Sequence, residues 1–243
     1  MVEFPIRINK YLRDMNLASR READKLVEAG LVFINGKRAE SGTKVEEKDK
    51  VTLKENKNAT KELKYFIYYK PKGLPTQDQP KLPSVISQWK DKGVYPVGRL
   101  DKESEGLLIL TNDGRFAREV LSDKEEYEKE YIVTTREHLR AGLEEIFANG
   151  METDAFGQLK PIKAEILGKN KISMILNEGK RHQIRVMLSE MNYGVLSLKR
   201  VRIGKFTLGT LKPGESKAIQ ISIKSAIKPN IKPAPKYDRS KQK

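Results

Sequence analysis

The apolar positions of the first 53 residues follow a helical period twice and then change to short strand-like runs. Residues 6–15 carry an imperfect helical stripe, and residues 19–30 carry a second one that ends at a glycine. The next segment, LVFINGKRA at 31–39, predicts a β-hairpin, because an Asn-Gly pair suits the tight turn between two strands. The segment EKDKVTL at 47–53 adds one more short strand, so we expect a helix–helix–hairpin unit over residues 1–53.

The rest of the chain alternates strand-like and helix-like patterns behind a polar break. Residues 54–63, KENKNATKEL, have no apolar period and predict a linker. Residues 64–224 then carry apolar strands such as YFIYY and LLIL and short amphipathic helices such as RFAREVL. Residues 225–243 are rich in proline and lysine and cannot bury enough apolar surface to order themselves, so we expect a basic, disordered tail.

Composition and charge narrow the classes of function. The 243 residues hold 48 Lys and Arg against 33 Asp and Glu, which gives a formal net charge of +15. This excess favours a polyanionic partner, because cations that meet phosphates release condensed counterions. A solubilising surface or a basic tail is the simpler alternative. An acidic lipid surface fits less well, because no basic amphipathic helix with an aromatic face is present.

Several other classes are excluded by the same composition. No apolar run approaches the roughly 20 residues that a membrane-spanning helix needs, and the first ten residues lack a signal-peptide core, so we expect a cytoplasmic protein. The absence of cysteine excludes disulfides and thiolate metal sites. Two histidines are too few for a histidine-based metal centre, and although carboxylate sites stay open, we expect no metal.

The stretch GRLDKESEGLLILTNDG, residues 98–114, places charged residues where a simple turn does not need them. Gly98 and Gly106 permit tight backbone passage into the apolar LLIL strand. A turn explains these glycines, but it does not explain the choice of Arg99 and Asp101. By itself, Asp101 would be interpreted as a turn or cap residue. Two later motifs, KEY and EGKRHQIRVML, change that interpretation.

Together the three motifs resemble those of the pseudouridine synthases, and the segments NKYL, ASRREADKLVEAGLVFING and KDKV resemble an S4 RNA-binding domain. From residue 6 to about residue 222, the chain is similar to the bacterial ribosomal small-subunit pseudouridine synthase A family, which also includes several large-subunit enzymes. The resemblance implies an α+β protein with two domains. A small S4-like α/β RNA-binding domain would occupy residues 1–53. A mixed, mainly antiparallel-sheet synthase domain with a central cleft would occupy residues 64–224.

The resemblance also implies an activity and the residues that perform it. Pseudouridylation detaches uracil from C1′ of the ribose, rotates it and rejoins it through C5, with no net redox change and no cofactor. Asp101 would act as nucleophile or electrostatic partner, Tyr131 would stack on the extruded base and handle the proton at C5, and Arg185 would keep Asp101 ionised. Leu188 and Arg99 are expected in the substrate pocket.

Basic residues of the S4-like unit and of the start of the second domain are the expected RNA contacts. Their side chains would bind phosphates and so position the RNA without reading its sequence. For each of them alone, an ordinary solvated side chain is the alternative. The expected RNA-contact residues are Arg20, Arg21, Lys25, Lys37, Arg38, Lys70 and Lys72. His182 is interpreted as a structural or RNA-facing residue, because the expected chemistry does not require it.

The leading hypothesis is an enzyme that isomerises a specific uridine of ribosomal RNA, with 23S rRNA preferred over 16S. We expect rRNA as the partner, neither DNA nor a membrane, and a monomer. One alternative is a non-catalytic S4-type ribosome-binding or assembly factor with a decayed synthase domain, which would not need the intact set of Asp101, Tyr131 and Arg185. Another is an S4-linked RNA methyltransferase, which should carry a glycine-rich nucleotide loop that this sequence lacks.

Overall fold

The computed structural model describes residues 4–15, 17–18, 20–54, 62–122 and 127–221, apart from the side chains of residues 20 and 21. The described residues divide into two compact units, one within residues 4–54 and the other within residues 62–220. Most of the predicted linker and the whole of the predicted tail lie outside the described residues.

The first unit pairs two short helices with two small sheets. Its elements are β1 (Ile6–Arg7), α1 (Ile8–Asp14), α2 (Arg20–Glu28), β2 (Val32–Ile34), β3 (Lys37–Arg38), β4 (Lys44–Val45) and β5 (Val51–Leu53). Strands β3, β2 and β5 form one antiparallel sheet in that order, and β1 pairs with β4. Asn35 and Gly36 have φ angles of 50° and 79° at the tip of the β2–β3 hairpin, which is the backbone that an Asn-Gly turn prefers.

The core of this unit follows from the helical spacing of its apolar residues. Ile8 and Leu12 are four residues apart on α1, and Ala23 and Val27 are four apart on α2, so each pair lies on one helix face. All four side chains are buried and pack together with Val32 of β2. The stripes that predicted the two helices are therefore the surfaces that join them.

The second unit is built on one large sheet. Its elements are β6 (Tyr65–Lys70), α3 (Val85–Trp89), β7 (Tyr95–Val97), β8 (Glu105–Thr111), α4 (Gly114–Val120), β9 (Lys129–Thr135), α5 (Leu143–Ala148), β10 (Glu152–Thr153), β11 (Gly157–Gln158), β12 (Lys163–Gly168), β13 (Lys171–Leu176), α6 (Gln183–Glu190), β14 (Val195–Ile203), β15 (Phe206–Thr207) and β16 (Ser216–Ala218). Across the described residues, nine of these strands form the sheet, in the order β12–β13–β9–β14–β8–β6–β16, with β15 on β14 and β7 on β8. Strands β10 and β11 form a separate hairpin.

Strand direction in the large sheet is antiparallel except where β14 lies beside β8. This parallel pair joins the β9–β13 half of the sheet to the β6–β8 half. The LLIL side chains of β8 are fully buried, as in a strand covered on both faces. The prediction of a small α/β domain followed along the chain by a mixed, mainly antiparallel sheet is therefore confirmed.

A close approach of backbones fixes the parallel pair. Gly106 of β8 lies opposite Arg200 of β14 and has a φ of 107°, which L side chains rarely adopt. A Cβ atom on Gly106 would lie 2.2 Å from the carbonyl oxygen of Arg200. Only glycine lets these strands meet, and their contact brings the loop before β8 next to β9 and β14.

Candidate active site

A pocket of about 340 Å³ opens in the second unit where the loop before β8 faces β9, β14 and the start of α6. Segments far apart in sequence supply its wall. Asp101 comes from the loop, Tyr131 from β9, Arg200 from β14, and His182 from the turn that leads into α6. The three motifs that carried the family resemblance therefore meet at one place.

Hydrogen bonds hold the Asp101 loop from two sides. The Thr76 hydroxyl donates to the Leu100 carbonyl at 2.6 Å and accepts from the Leu100 amide at 3.1 Å. The Ser104 amide donates to the Asp101 carbonyl at 3.0 Å, which closes a turn directly before β8. With its backbone fixed in this way, Asp101 exposes 36 % of its side chain at the wall of the pocket.

Among the described residues, His182 is the side chain in polar contact with the Asp101 carboxylate. Its Nε2 lies 3.2 Å from Asp101 Oδ1. His182 has a left-handed backbone with a φ of 59° just before α6, a strained conformation for a residue other than glycine. Buried Gln183 supports it, because its side chain accepts from the Lys180 amide at 3.0 Å and donates to Glu178 Oε1 at 2.8 Å.

The sequence interpretation missed this contact. His182 was expected to be structural or RNA-facing, whereas the structure places it on the carboxylate to which the chemistry is assigned. The available signal was its position, since it stands three residues before Arg185 in the same motif and at the start of a helix.

Arg185 lies on α6 and binds the backbone of the Asp101 loop. Its Nη2 donates to the Glu103 carbonyl at 3.1 Å and to Ser104 Oγ at 3.4 Å. The guanidinium therefore ties α6 to the turn that carries Asp101, and it forms no ion pair with the Asp101 carboxylate among the described residues. Arg185 itself is not among the residues that line the pocket.

Tyr131 and the apolar wall of the pocket lie on two neighbouring elements. Tyr131 is half-buried on β9, between Met174 of β13 and Arg200 of β14. Ile184, in the first turn of α6, lines the pocket. Leu188 lies one turn further along the same helix face and is fully buried in the core below. The pocket position predicted for Leu188 is therefore corrected to Ile184.

The predicted basic contacts divide by exposure. Arg99 is exposed at the pocket, with Nη1 3.5 Å from Gln77 Oε1. Lys72, Lys25, Lys37 and Arg38 are also exposed. Two of these have recorded partners: Lys72 Nζ lies 3.4 Å from the Leu196 carbonyl, and Arg38 Nη2 lies 3.1 Å from the Glu28 carbonyl. The side chains of Arg20 and Arg21 lie outside the described part of the chain.

Lys70 differs from the other basic residues, because its side chain is fully buried. Its ammonium group donates to the Pro71 carbonyl at 2.9 Å and to the Leu74 carbonyl at 2.7 Å. Burial lowers the pKa of Lys70 to about 8, although the carboxylates of Asp101, Glu103 and Glu105 partly oppose the shift. The RNA contact predicted for Lys70 is wrong, because an enclosed ammonium group does not reach a phosphate.

The described residues contain neither a candidate metal-binding cluster nor a membrane-spanning helix. No cluster of three or more His, Asp or Glu side chains suited to a metal ion occurs among them. No helix in the described ranges is both long and apolar enough to cross a membrane.

Comparison with known proteins agrees with this geometry. Residues 64–190 match the family model of RNA pseudouridylate synthase, and residues 6–51 match the S4 domain. Ribosomal large subunit pseudouridine synthase B of Bacillus subtilis is 32% identical over 224 residues, which cover 88% of this chain and 91% of that protein. Dual-specificity RNA pseudouridine synthase RluF of Escherichia coli K12 is 34% identical over 223 residues, which cover 86% of this chain and 74% of that protein. A crystal structure of a pseudouridylate synthase superposes with a TM-score of 0.66 at 26% identity, covering 88% of this chain and 96% of the other.

The two domains and the pocket define an RNA-binding enzyme that modifies its RNA. An S4 domain precedes the catalytic sheet, and the three motif segments meet in its pocket. The chain belongs to the RNA pseudouridylate synthase family. It is a pseudouridine synthase, an isomerase, and the predicted family and enzyme class are confirmed.

Proposed function

We propose that this protein converts one specific uridine of ribosomal RNA into pseudouridine in the pocket that holds Asp101. The observation that carries the proposal is that Asp101 and Tyr131, thirty positions apart in sequence, line one pocket of about 340 Å³. Ligand pockets commonly enclose about 300–1,000 Å³, so one extruded base fits this space. The target nucleotide would leave its stack and enter the pocket, because the reacting C1′ and C5 atoms are out of reach within a helix.

The reaction balances without a co-reactant. The bond between C1′ and N1 breaks, and its electron pair leaves with the uracil ring. Asp101 meets C1′ as a nucleophile or as an electrostatic partner of the cationic sugar. The ring turns, C5 bonds to C1′, C5 loses its proton and N1 gains one. Tyr131 would stack on the turning ring and accept the proton from C5.

Two residues would position Asp101 for this step. Arg185 binds the carbonyl and hydroxyl groups of the turn that carries Asp101, at 3.1 and 3.4 Å. His182 lies 3.2 Å from the carboxylate itself and would hold its orientation until the nucleotide arrives. Fixing a reacting group in advance lowers the activation barrier, because less freedom is lost during the reaction.

Ribosomal RNA is the proposed substrate class because the Bacillus subtilis relative is named for the ribosomal large subunit. The same name favours 23S rRNA over 16S rRNA. The exposed cations of the S4 unit would bind phosphates of the RNA. We propose that the RNA-binding domain spans residues 1–53 and the synthase domain residues 64–224. We place the protein in the cytoplasm, as a monomer on its RNA.

The test compares pseudouridine maps and purified variants. Total rRNA from a deletion strain should lack one or a few pseudouridines that its parent carries, and the wild-type chain should restore them on a transcript. Asp101→Asn keeps the size of the side chain but loses the carboxylate, so we expect at least about a 10³-fold loss of rate with RNA binding retained. Asp91→Asn is the matched control, because Asp91 is exposed and outside the pocket. Identical maps in both strains, or full activity of Asp101→Asn, would contradict the proposal.

A further inference from the structure

Arg200 is a buried arginine without a carboxylate partner among the described residues. It lies on β14 opposite Tyr131 of β9 and is only 5% exposed. Its Nε donates to the Leu107 carbonyl at 2.8 Å. Its Nη2 is buried and makes no hydrogen bond within the described part of the chain.

A second buried cation, Lys70, lies close enough to Arg200 for the two charges to interact. Lys70 is fully buried, its ammonium group is held only by backbone carbonyls, and the charge of Arg200 contributes to the lowering of its pKa. Buried charges are normally paired, because leaving water is unfavourable for an ion. Neither Lys70 nor Arg200 forms an ion pair with a described carboxylate. The carboxylates of Asp101, Glu103 and Glu105 act on Lys70 from a distance, whereas Nη2 of Arg200 has no hydrogen-bond partner among the described residues.

Arg200 is part of the wall of the pocket, together with Asp101 and Tyr131. Nη2 is enclosed in this structure, so the guanidinium acts on the pocket contents through its field. A cation that is itself buried attracts charge that develops beside it far more strongly than a solvated cation does, and Arg200 is only 5% exposed. An anionic species that exists only during the reaction would benefit most.

We propose that Arg200 stabilises the uracil anion that forms when the bond between C1′ and N1 breaks. The inference rests on the proposed function. In that step the electron pair of the broken bond stays on the uracil ring and spreads over N1, O2 and O4, while C1′ turns to Asp101. The pair returns when C5 bonds to C1′, so Arg200 donates no proton and changes no bond. Neutral uracil in the bound substrate lacks this charge, and Arg200 therefore favours the transition state over the ground state.

The experiment uses the full-length chain and the transcript whose uridine the wild-type protein modifies. Arg200→Met removes the charge at similar length, and Arg200→Lys keeps it. At saturating RNA we expect Arg200→Met to lower the single-turnover rate at least about 100-fold, as the loss of one fixed charge-stabilising group does. Arg200→Lys should stay within about 10-fold of wild type, and the RNA dissociation constant of both should change less than about threefold.

A matched control and a modified substrate separate charge from structure. Arg202→Met alters the same strand and breaks ion pairs with Glu130 and Glu128, but Arg202 is not part of the pocket wall, so its rate should stay within about twofold of wild type. A transcript with 5-fluorouridine at the target carries an electron-withdrawing group that stabilises the uracil anion by itself. The rate at which intact 5-fluorouridine disappears is measured after nuclease digestion. Arg200→Met should therefore lower this rate by a factor at least about threefold smaller than the factor by which it lowers the rate of uridine conversion.

The outcomes show whether Arg200 acts through its charge on the reacting uracil or only through the structure of the protein. Equal losses on both substrates, a loss confined to RNA binding, or a rate of Arg200→Met near wild type would overturn the inference. If Arg200→Met fails to fold by circular dichroism, Arg200→Lys carries the test, because its smaller loss should show the same dependence on fluorine. A wild-type chain that forms no pseudouridine would instead refute the proposed function, and that result is read before any variant is compared.

Discussion

Replacing Gly106 by alanine tests the close approach of β8 and β14 beside the candidate active site. The added Cβ would lie 2.2 Å from the Arg200 carbonyl oxygen and 2.8 Å from its nitrogen, whereas ordinary contacts begin at 3.4 Å. Strands β8 and β14 must therefore separate by about 1.2 Å, which breaks backbone hydrogen bonds worth about 1 kcal/mol each. A φ of 107° adds about 1–3 kcal/mol of backbone strain. We expect a total loss of about 3–5 kcal/mol in the free energy of unfolding.

Trp89 makes this loss measurable. It is the single tryptophan of the chain and is buried in the second unit against Tyr68 and β8, so its fluorescence reports the unfolding of that unit. The expected loss corresponds to a fall in melting temperature of about 6–20 °C for a domain of this size. Gly209→Ala is the control, because Gly209 also has a positive φ, of 58°, but has no atom within 4 Å of an added Cβ. If both variants lose the same stability within about 0.5 kcal/mol, the close approach does not matter and the reasoning fails.

Three further predictions follow from the buried and exposed cations and from His182. His182→Gly removes the strain of a φ of 59°, so the free energy of unfolding should stay level or rise by up to about 1 kcal/mol. Pseudouridine formation should slow, because the Asp101 carboxylate loses its contact with His182. Slower turnover together with lower stability would contradict this prediction. Burial lowers the pKa of Lys70 from 10.5 to about 8 in the folded chain. Between these two pH values the unfolded chain binds the extra proton, so the free energy of unfolding should increase as pH rises, by up to about 3 kcal/mol. Urea titrations at pH 7.5 and 9.5 should show this gain in wild type and not in Lys70→Met, and parallel curves would refute it. Lys25→Gln combined with Lys37→Gln should lower the slope of log K for RNA binding against log salt by about 1.5, and an unchanged slope would show that neither lysine meets a phosphate.

Local patterns in the sequence were sufficient to predict most of the elements. The stripes of Ile8 with Leu12 and of Ala23 with Val27 became buried helix faces, and the Asn35-Gly36 pair became a tight hairpin turn. These outcomes depend on residues a few positions apart, so backbone preferences and burial of one face are enough to predict them.

Predictions that depended on contacts across the sheet were less successful. The sequence around Lys70 gives no sign that this lysine is buried, yet the pairing of β6 with β8 encloses it. Leu188 and Ile184 share one helix face, and only the position of α6 decides which of them reaches the pocket. Arg200 carried no motif signal, because its burial follows from the parallel pairing of β14 with β8.

Motif residues and short-range periodicity along the chain were enough to predict the family and the order of the two domains, and they made Asp101 and Tyr131 candidates for the catalytic roles. The charged groups around Asp101, in contrast, become visible only in the folded chain. His182 contacts its carboxylate, Arg185 binds the backbone beside it, and Arg200 stands in the pocket wall. The physical reason is that the strength of a charge depends on its burial and its neighbours, and both are set by strands that pair across nearly a hundred residues.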